Sequence, residues 1–344
     1  MSNLVNESGY ITTFASPIEG GKIRCDLCPR YCVLGEGQRG LCFVRKNMDG
    51  KLVLTTYGRS SGIAIDPIEK KPLYHYYPGS SVLSFGTAGC NLTCKFCQNW
   101  DMSKSRQMDI LQVSASPEQI AQSAVKNGCK SVAFTYNDPI IFLEYAIDTA
   151  IACHELGIKT VAVTAGYINP EPAKEFFKHM DAVNVDLKGF TNGFYQELCS
   201  SNIQPVLDTL AYIGNETDCW LEITNLLIPG YNDSTTEVTP LCDWVVNTFG
   251  ETVPIHFSAF HPAYKMMDVP RTTYETMMNA ERIAKSTGLK HVYLGNVRTP
   301  SGQNTKCVNC GKVLVLREGY GTQIIGLENG QCVECSTRCN GIWD

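Results

Sequence analysis

Three cysteines in the stretch Gly89-Cys90-Asn91-Leu92-Thr93-Cys94-Lys95-Phe96-Cys97 stand at C-x3-C-x2-C spacing. Thiolates so spaced can face one metal centre from a single loop, and soft sulfur donors select zinc or iron–sulfur. Three ligands are fewer than a closed structural site needs. A four-iron cluster held on three of its irons keeps the fourth open to a substrate atom; the alternative is a zinc ion with a remote fourth ligand, His75 or His261. Two further cysteine groups flank this one. Cys25, Cys28, Cys32 and Cys42 supply four thiolates within 18 residues, on a stretch whose Gly35, Gly37 and Gly40 can wrap tightly. They close a site completely, and the spacing suits zinc and an iron–sulfur cluster equally. Cys307-x2-Cys310 and Cys332-x2-Cys335 enclose an alternating, hairpin-like stretch from Val313 to Leu327, the spacing of a zinc ribbon. A structural zinc is the first expectation there and an auxiliary iron–sulfur cluster the second, while Cys339 close behind has no assigned role. Cys129, Cys153, Cys199, Cys219 and Cys242 lie singly in periodic segments and read as small buried hydrophobes.

The elements that must position these groups follow from β-branched runs alternating with amphipathic, helix-length segments. Val82 to Phe85, Ser131 to Tyr136, Lys159 to Val163, Ala182 to Val185, Trp220 to Leu227, Ile255 to Ser258 and His291 to Leu294 read as strands. Ser116-Pro117-Glu118-Gln119 has the form of a helix cap, and Gly128, Gly157 and Gly288 punctuate helix ends. Alternation of this kind predicts an α/β fold, a partial (β/α)6-type barrel with a mostly parallel sheet, whose active site lies at the carboxyl ends of the strands. The expected organisation is a cysteine-rich N-terminal metal segment over 1–80, the barrel over 81–296 and the ribbon over 297–344. Asp66-Pro67-Ile68-Glu69-Lys70-Lys71, before the aromatic run Tyr74 to Tyr77, reads as a solvated turn leading into a packing segment, or as a cover over the barrel mouth. Gly86-Thr87-Ala88-Gly89 lacks the remaining residues of a phosphate loop and runs straight into the cysteines.

The C-x3-C-x-aromatic-C loop directly after the first barrel strand resembles the radical S-adenosylmethionine (radical SAM) superfamily. Phe134-Thr135-Tyr136-Asn137-Asp138-Pro139, Val163-Thr164-Ala165-Gly166-Tyr167, Asp186-Leu187-Lys188 and Leu227-Ile228-Pro229-Gly230-Tyr231-Asn232-Asp233 are similar to the strand-end motifs of the glycyl-radical, or pyruvate formate-lyase type, activating enzymes. Cys25-x2-Cys28-Pro29-Arg30-x-Cys32, Ile65 to Leu73 and the C-terminal cysteine pairs extend the resemblance to AmmeMemoRadiSam-system radical SAM enzymes, essentially end to end. Two departures stand out: Asp138 replaces a more usual glutamate, and Arg338-Cys339-Asn340 replaces a commoner Ile-Pro pair. The resemblance implies a [4Fe-4S] cluster on Cys90, Cys94 and Cys97, with SAM on its open iron. It places Phe96, Asn137, Asp138, Thr164, Gly166, Asp186, Lys188 and His261 as candidate SAM contacts. Asn137 and Asp138 would accept from the SAM ammonium, and Gly166 would allow close approach of a nucleoside. Asp186 and Lys188, two apart on a strand, present opposite charges to one face. Of His256 and His261, the latter is favoured for its loop position.

Composition narrows the classes. Seventeen cysteines in 344 residues make cysteine chemistry dominant, while 34 acidic against 29 basic residues give a net charge of -5 that suits neither a disordered tail nor a DNA coat. No Lys/Arg stripe accompanies the knuckles, so nucleic acid is not the expected partner. No leader-like start or long uncharged apolar run is seen, which predicts a cytoplasmic protein without a membrane span, where thiols stay reduced. The expected activity is reductive SAM cleavage and hydrogen abstraction from a protein or peptide, with an electron from a low-potential flavodoxin or ferredoxin type donor. The alternatives are a cobalamin-assisted C-methyltransferase, although no D-x-H-x2-G cobalamin motif occurs, and a non-catalytic zinc-binding interaction protein.

Overall fold

The computed structural model describes residues 9–106, 113–297, 302–319 and 321–344. Its centre is one sheet of eight strands: β1 (Gly62–Pro67), β2 (Ser81–Gly86), β3 (Ser131–Phe134), β4 (Lys159–Thr164), β5 (Ala182–Asp186), β6 (Trp220–Leu227), β7 (Ile255–Ala259) and β8 (Val292–Gly295). Each strand pairs with its neighbour in sequence, so spatial order follows chain order from β8 to β1. Strands β2 to β8 are parallel. Parallel strands need crossovers, and helices α1 (Pro117–Lys126), α2 (Leu143–Glu155), α3 (Pro170–Phe177), α4 (Gln204–Glu216), α5 (Thr235–Phe249) and α6 (Tyr274–Ser286) supply them in turn. Six strand–helix units are therefore closed by a seventh parallel strand.

Local chemistry explains the boundaries. Ser116 caps α1 in a reciprocal box with Gln119, and Pro117 occupies the first helical position, where its missing N–H costs nothing. The strands are apolar on both faces because helices cover one side and the barrel interior the other; all four residues of β3 are buried.

The segment from Asp66 to Lys71 is not a solvated turn, while the aromatic run from Tyr74 to Tyr76 that follows is buried, as a packing segment. The first half of the 66–71 segment completes β1, which runs antiparallel to β2 from Gly62 opposite Gly86 to Pro67 opposite Ser81. Asp66 is tolerated at 7% exposure because Lys71 Nζ at 2.7 Å, Lys70 Nζ at 2.9 Å and the Tyr136 hydroxyl at 3.0 Å all reach its carboxylate.

Before β1 the chain builds two small antiparallel sheets, Ala15–Ile18 with Lys22–Cys25 and Val33–Leu34, and Tyr10–Ile11 with Lys51–Leu54 and Arg45–Met48. Arg45 anchors them to α2: its guanidinium makes a two-pronged pair with Glu144 at 2.7 and 2.6 Å and donates to the Ile141 carbonyl at 3.0 Å. After β8, a hairpin of β9 (Val313–Glu318) and β10 (Gly321–Ile324) carries the C-terminal cysteines. The chain end packs against the amino ends of the barrel strands. Ile342 exchanges backbone hydrogen bonds with His75 and Tyr77, and Asn340 donates to Thr252 just before β7.

Candidate active site

The loop after β2 carries Cys90, Cys94 and Cys97 to the carboxyl end of the sheet. Two glycines let it sit there. A Cβ on Gly86 would stand 2.4 Å from the Thr135 carbonyl, and one on Gly89, whose φ is +81°, would stand 1.9 Å from the Cys42 carbonyl. Asn137 then fastens the loop, accepting from Thr87 N at 3.0 Å and donating to the Gly89 carbonyl at 2.8 Å. The three cysteines line one cavity of about 250 Å³ together with Phe96, Asn137, Asp138, Thr164, Asp186 and Lys188. These were all named from sequence as candidate site residues, and the structure brings them together.

Two of the sequence candidates stay outside that cavity. The missing side chain of Gly166 faces Val185, Thr209 and Val206 on the helical side of the sheet, and its φ of +65° accounts for the glycine. His261 lies past Phe260, whose backbone turns away to Leu227 and Thr272, so the lining face of β7 ends at Ser258. His256 is withdrawn below the cavity, its Nε2 2.6 Å from Glu222.

The charges at the mouth are ordered by burial and pairing. Lys188 Nζ lies 2.9 Å from Asp186 and above the Phe96 ring. Burial alone would lower its pKa, but Asp186 and the sulfurs of Cys94 and Cys199 outweigh this and hold it well above the ordinary lysine value. Asp138 is fully enclosed; burial raises its pKa, opposed by hydrogen bonds from Ala165 N at 3.0 Å, Ile140 N at 3.1 Å and Thr164 Oγ1 at 2.9 Å.

Three contributors were not singled out from sequence. Cys199, read there as an inert hydrophobe, ends a π-helical turn (Tyr195–Cys199) beneath the loop and accepts the Thr93 N–H at 3.2 Å. Its thiol faces Cys94 and, with help from Lys188 and Lys104 and against burial, lowers the Cys94 pKa. Lys104 lines the cavity and donates to the Leu92 carbonyl. Tyr136 holds a φ of +71°, a strained value for a bulky residue, between Asp66 and the cavity. Only chain folding brings Cys199 to the loop; a strained φ leaves no mark in sequence.

Among the described residues, two sets of three or more metal-capable side chains bring their ligand atoms within 4.8 Å of one another: Cys307, Cys310, Cys332 and Cys335, and the buried set His75, His291 and Cys339. The Cys90, Cys94 and Cys97 sulfurs do not form such a set. They converge on one cavity yet stand too far apart for one small ion, so the donors fit a polynuclear iron–sulfur core better than a lone zinc. His75 is unsuited to the remote-ligand alternative, since its ring nitrogens face the Asn340 carbonyl at 2.7 Å and the Tyr293 hydroxyl at 2.5 Å.

Comparison with known proteins agrees. A family model described as the radical SAM superfamily matches residues 85–239. An uncharacterized protein of Methanocaldococcus jannaschii is 39% identical over 327 residues, 94% of this chain and 97% of its own length. The pyruvate formate-lyase-activating enzyme of Clostridium pasteurianum is 24% identical over 57% of this chain and 87% of its own. A radical SAM methyltransferase from Sphaerobacter thermophilus has a similar fold, with a TM-score of 0.50 and 17% identity over 64% of this chain and 67% of that one. No helix of the described residues is long and apolar enough to cross a membrane. A shared fold, a matching model and a relative similar along almost the whole chain lead to one conclusion: the chain belongs to the radical SAM superfamily.

Proposed function

We propose that this enzyme abstracts hydrogen from a C–H bond of a protein or peptide, in the manner of an activating enzyme. One observation carries the reading. The cavity of the three cysteines shares Thr224, Ser258 and Asn296 with a second, open cavity of about 980 Å³ that reaches Arg271, Tyr274 and Gln303. A polypeptide segment has room there, beside the site and still open to solvent. The activating-enzyme relative supports the same class. Cobalamin-assisted methylation gains nothing from the methyltransferase neighbour, whose 17% identity speaks for fold alone.

Cys90, Cys94 and Cys97 would hold the [4Fe-4S] cluster, which together with bound SAM supplies a 5'-deoxyadenosyl radical once a ferredoxin or flavodoxin type donor delivers one electron. The chain's own residues bind and orient. Lys188 offers a fixed positive charge to a carboxylate, Asp186 a negative one to an ammonium, and Thr164 and Asp138 shape the adjoining wall. Phe96 and Leu226 keep water from that wall. The C-terminal quartet suits one structural zinc: Cys307 and Cys335 sulfurs lie 3.5 Å apart and Cys310 and Cys332 sulfurs 3.6 Å apart. A tetrahedron with Zn–S bonds of about 2.3 Å has edges of roughly 3.8 Å.

The test is anaerobic incubation with SAM, a low-potential reductant and deuterated candidate proteins or peptides. Deuterium should appear in 5'-deoxyadenosine. Formation of S-adenosylhomocysteine with methylated product would replace this reading with methyl transfer, and a colourless protein holding zinc without iron would replace it with a binding module.

A further inference from the structure

We infer that Cys25, Cys28, Cys32 and Cys42 form the site of a second iron–sulfur cluster, a [4Fe-4S] core capped by four thiolates and seated against the loop of Cys90, Cys94 and Cys97. Spacing alone leaves zinc and iron–sulfur equal here, and the geometry separates them. All four cysteines line one cavity, walled otherwise by apolar Leu27, Leu41 and Ile141 and by Arg30 and Arg45. Yet no three of their sulfurs lie within 4.8 Å of one another, whereas the C-terminal quartet meets that spacing as a complete set. A single tetrahedral ion requires edges of roughly 3.8 Å. A core with several irons stands between its thiolates and holds them further apart. The N-terminal quartet therefore shares the open spacing of the Cys90 loop and not the compact spacing of the ribbon.

Gly40 lies against two of the four sulfurs: a Cβ there would make ordinary van der Waals contact with Cys42 at 3.7 Å and Cys32 at 3.8 Å. The charges around the quartet agree with an iron–sulfur occupant. Four thiolates around a cluster carry net negative charge into an apolar cavity, which needs a compensating cation. Arg45 is already matched by Glu144. Arg30 is not: its guanidinium donates to the backbone carbonyls of Asn91, Cys199 and Ser200, and no carboxylate among the described residues pairs with it. Those carbonyls and the Tyr167 ring hold Arg30 on the cavity wall, and Arg45, although paired with Glu144, adds its charge beside Cys25 and Cys42.

The two sulfur sets are also built as neighbours. Asn91, from the Cys90 loop, lines the N-terminal cavity, and Cys42 and Cys90 line a common cleft. Only the Cys90 loop, with three ligands, leaves an iron open to SAM. The capped cluster beside it has none.

The experiment is metal analysis with Mössbauer and electron paramagnetic resonance spectroscopy on the anaerobically reconstituted full chain. The wild type should hold about eight irons and about one zinc. Replacing Cys90, Cys94 and Cys97 together by serine should leave about four irons and a reducible cluster signal that SAM does not perturb. Cys28→Ser with Cys32→Ser should remove about four irons, retain the zinc and keep the SAM-sensitive signal. A wild type with about four irons and two zincs overturns the inference, as does a folded triple variant without iron. If a variant fails to fold, the wild-type counts still decide.

Discussion

Asp186 and Lys188 are expected, from their spacing and the motifs of the resemblance, to present opposite charges to a ligand; the structure joins them to each other at 2.9 Å on the cavity wall, with Lys188 largely buried. A buried, charge-assisted hydrogen bond contributes on the order of 1.5 to 3 kcal/mol. Lys188→Met should therefore weaken SAM binding roughly tenfold or more, with iron content unchanged. A SAM titration matching the wild type at full iron occupancy would take Lys188 out of the binding site. Cys199 makes a different kind of contribution. Hydrogen bonds to ligating sulfurs help set the potential of an iron–sulfur cluster, and the Cys199 thiol is placed to supply one to Cys94. Cys199→Ala should keep the cluster on the Cys90 loop but make it harder to reduce, read as a more negative midpoint in a potentiometric titration. An unchanged midpoint would reduce Cys199 to packing.

At the scale of elements, the barrel was legible because its strands are continuous β-branched runs and its helices carry cap residues. Trp220 to Leu227 was read with the bounds the structure has, and the other six parallel strands came within a residue or two. β1 was missed because a proline and mixed charges mark its end, and those signs point to a turn when the partners Lys71 and Tyr136 are unknown. The N-terminal sheets escaped notice because strands of two to four residues carry too little periodicity. The site was legible where motifs sit on strand ends and illegible where contacts span the chain, as between Arg45 and Glu144. Gly89 joins two such elements. Any side chain there would meet the Cys42 carbonyl at 1.9 Å in a backbone conformation L residues avoid. Gly89→Ala should thus push the N-terminal segment off the loop and lower the iron content of both cysteine sets, whereas Gly20→Ala, equally positive in φ but in open space, should leave the iron count intact. Full iron in the Gly89 variant would show that the two segments do not support each other.

Across the whole molecule, the C-terminal segment is locked to the barrel floor through His75. Its ring is enclosed by Trp220, His291, Tyr293 and Trp343, with Glu222 below, and Arg317 and Cys339 approaching from the ribbon side. Burial first, then the neighbouring His291, drives the His75 pKa down to about 3 against the pull of Glu222, and burial drives His291 down to about 4. An unfolded histidine binds its proton near 6.5. Both rings are therefore neutral in the folded protein, and below pH ~6.5 the unfolded chain holds more protons than the folded one. Stability is complete above that pH and falls as acid is added through the window from about 6.5 to about 4, by on the order of 3 kcal/mol for His291 across it. When the floor opens locally His75 can take a proton, and the charged ring has no Nε2 acceptor left for Tyr293, which favours the opened state where Ile342 and Asn340 attach. The C-terminal segment should accordingly become sensitive to protease at pH 5 before the barrel melts and before any metal on its cysteine quartet is lost. His291→Phe keeps the edge-on ring contact but removes one titrating group, so it should roughly halve the slope of Tm against pH in that window. Should the slope be unchanged with zinc content verified at each pH, acid sensitivity would belong to the metal thiolates instead of the buried histidines.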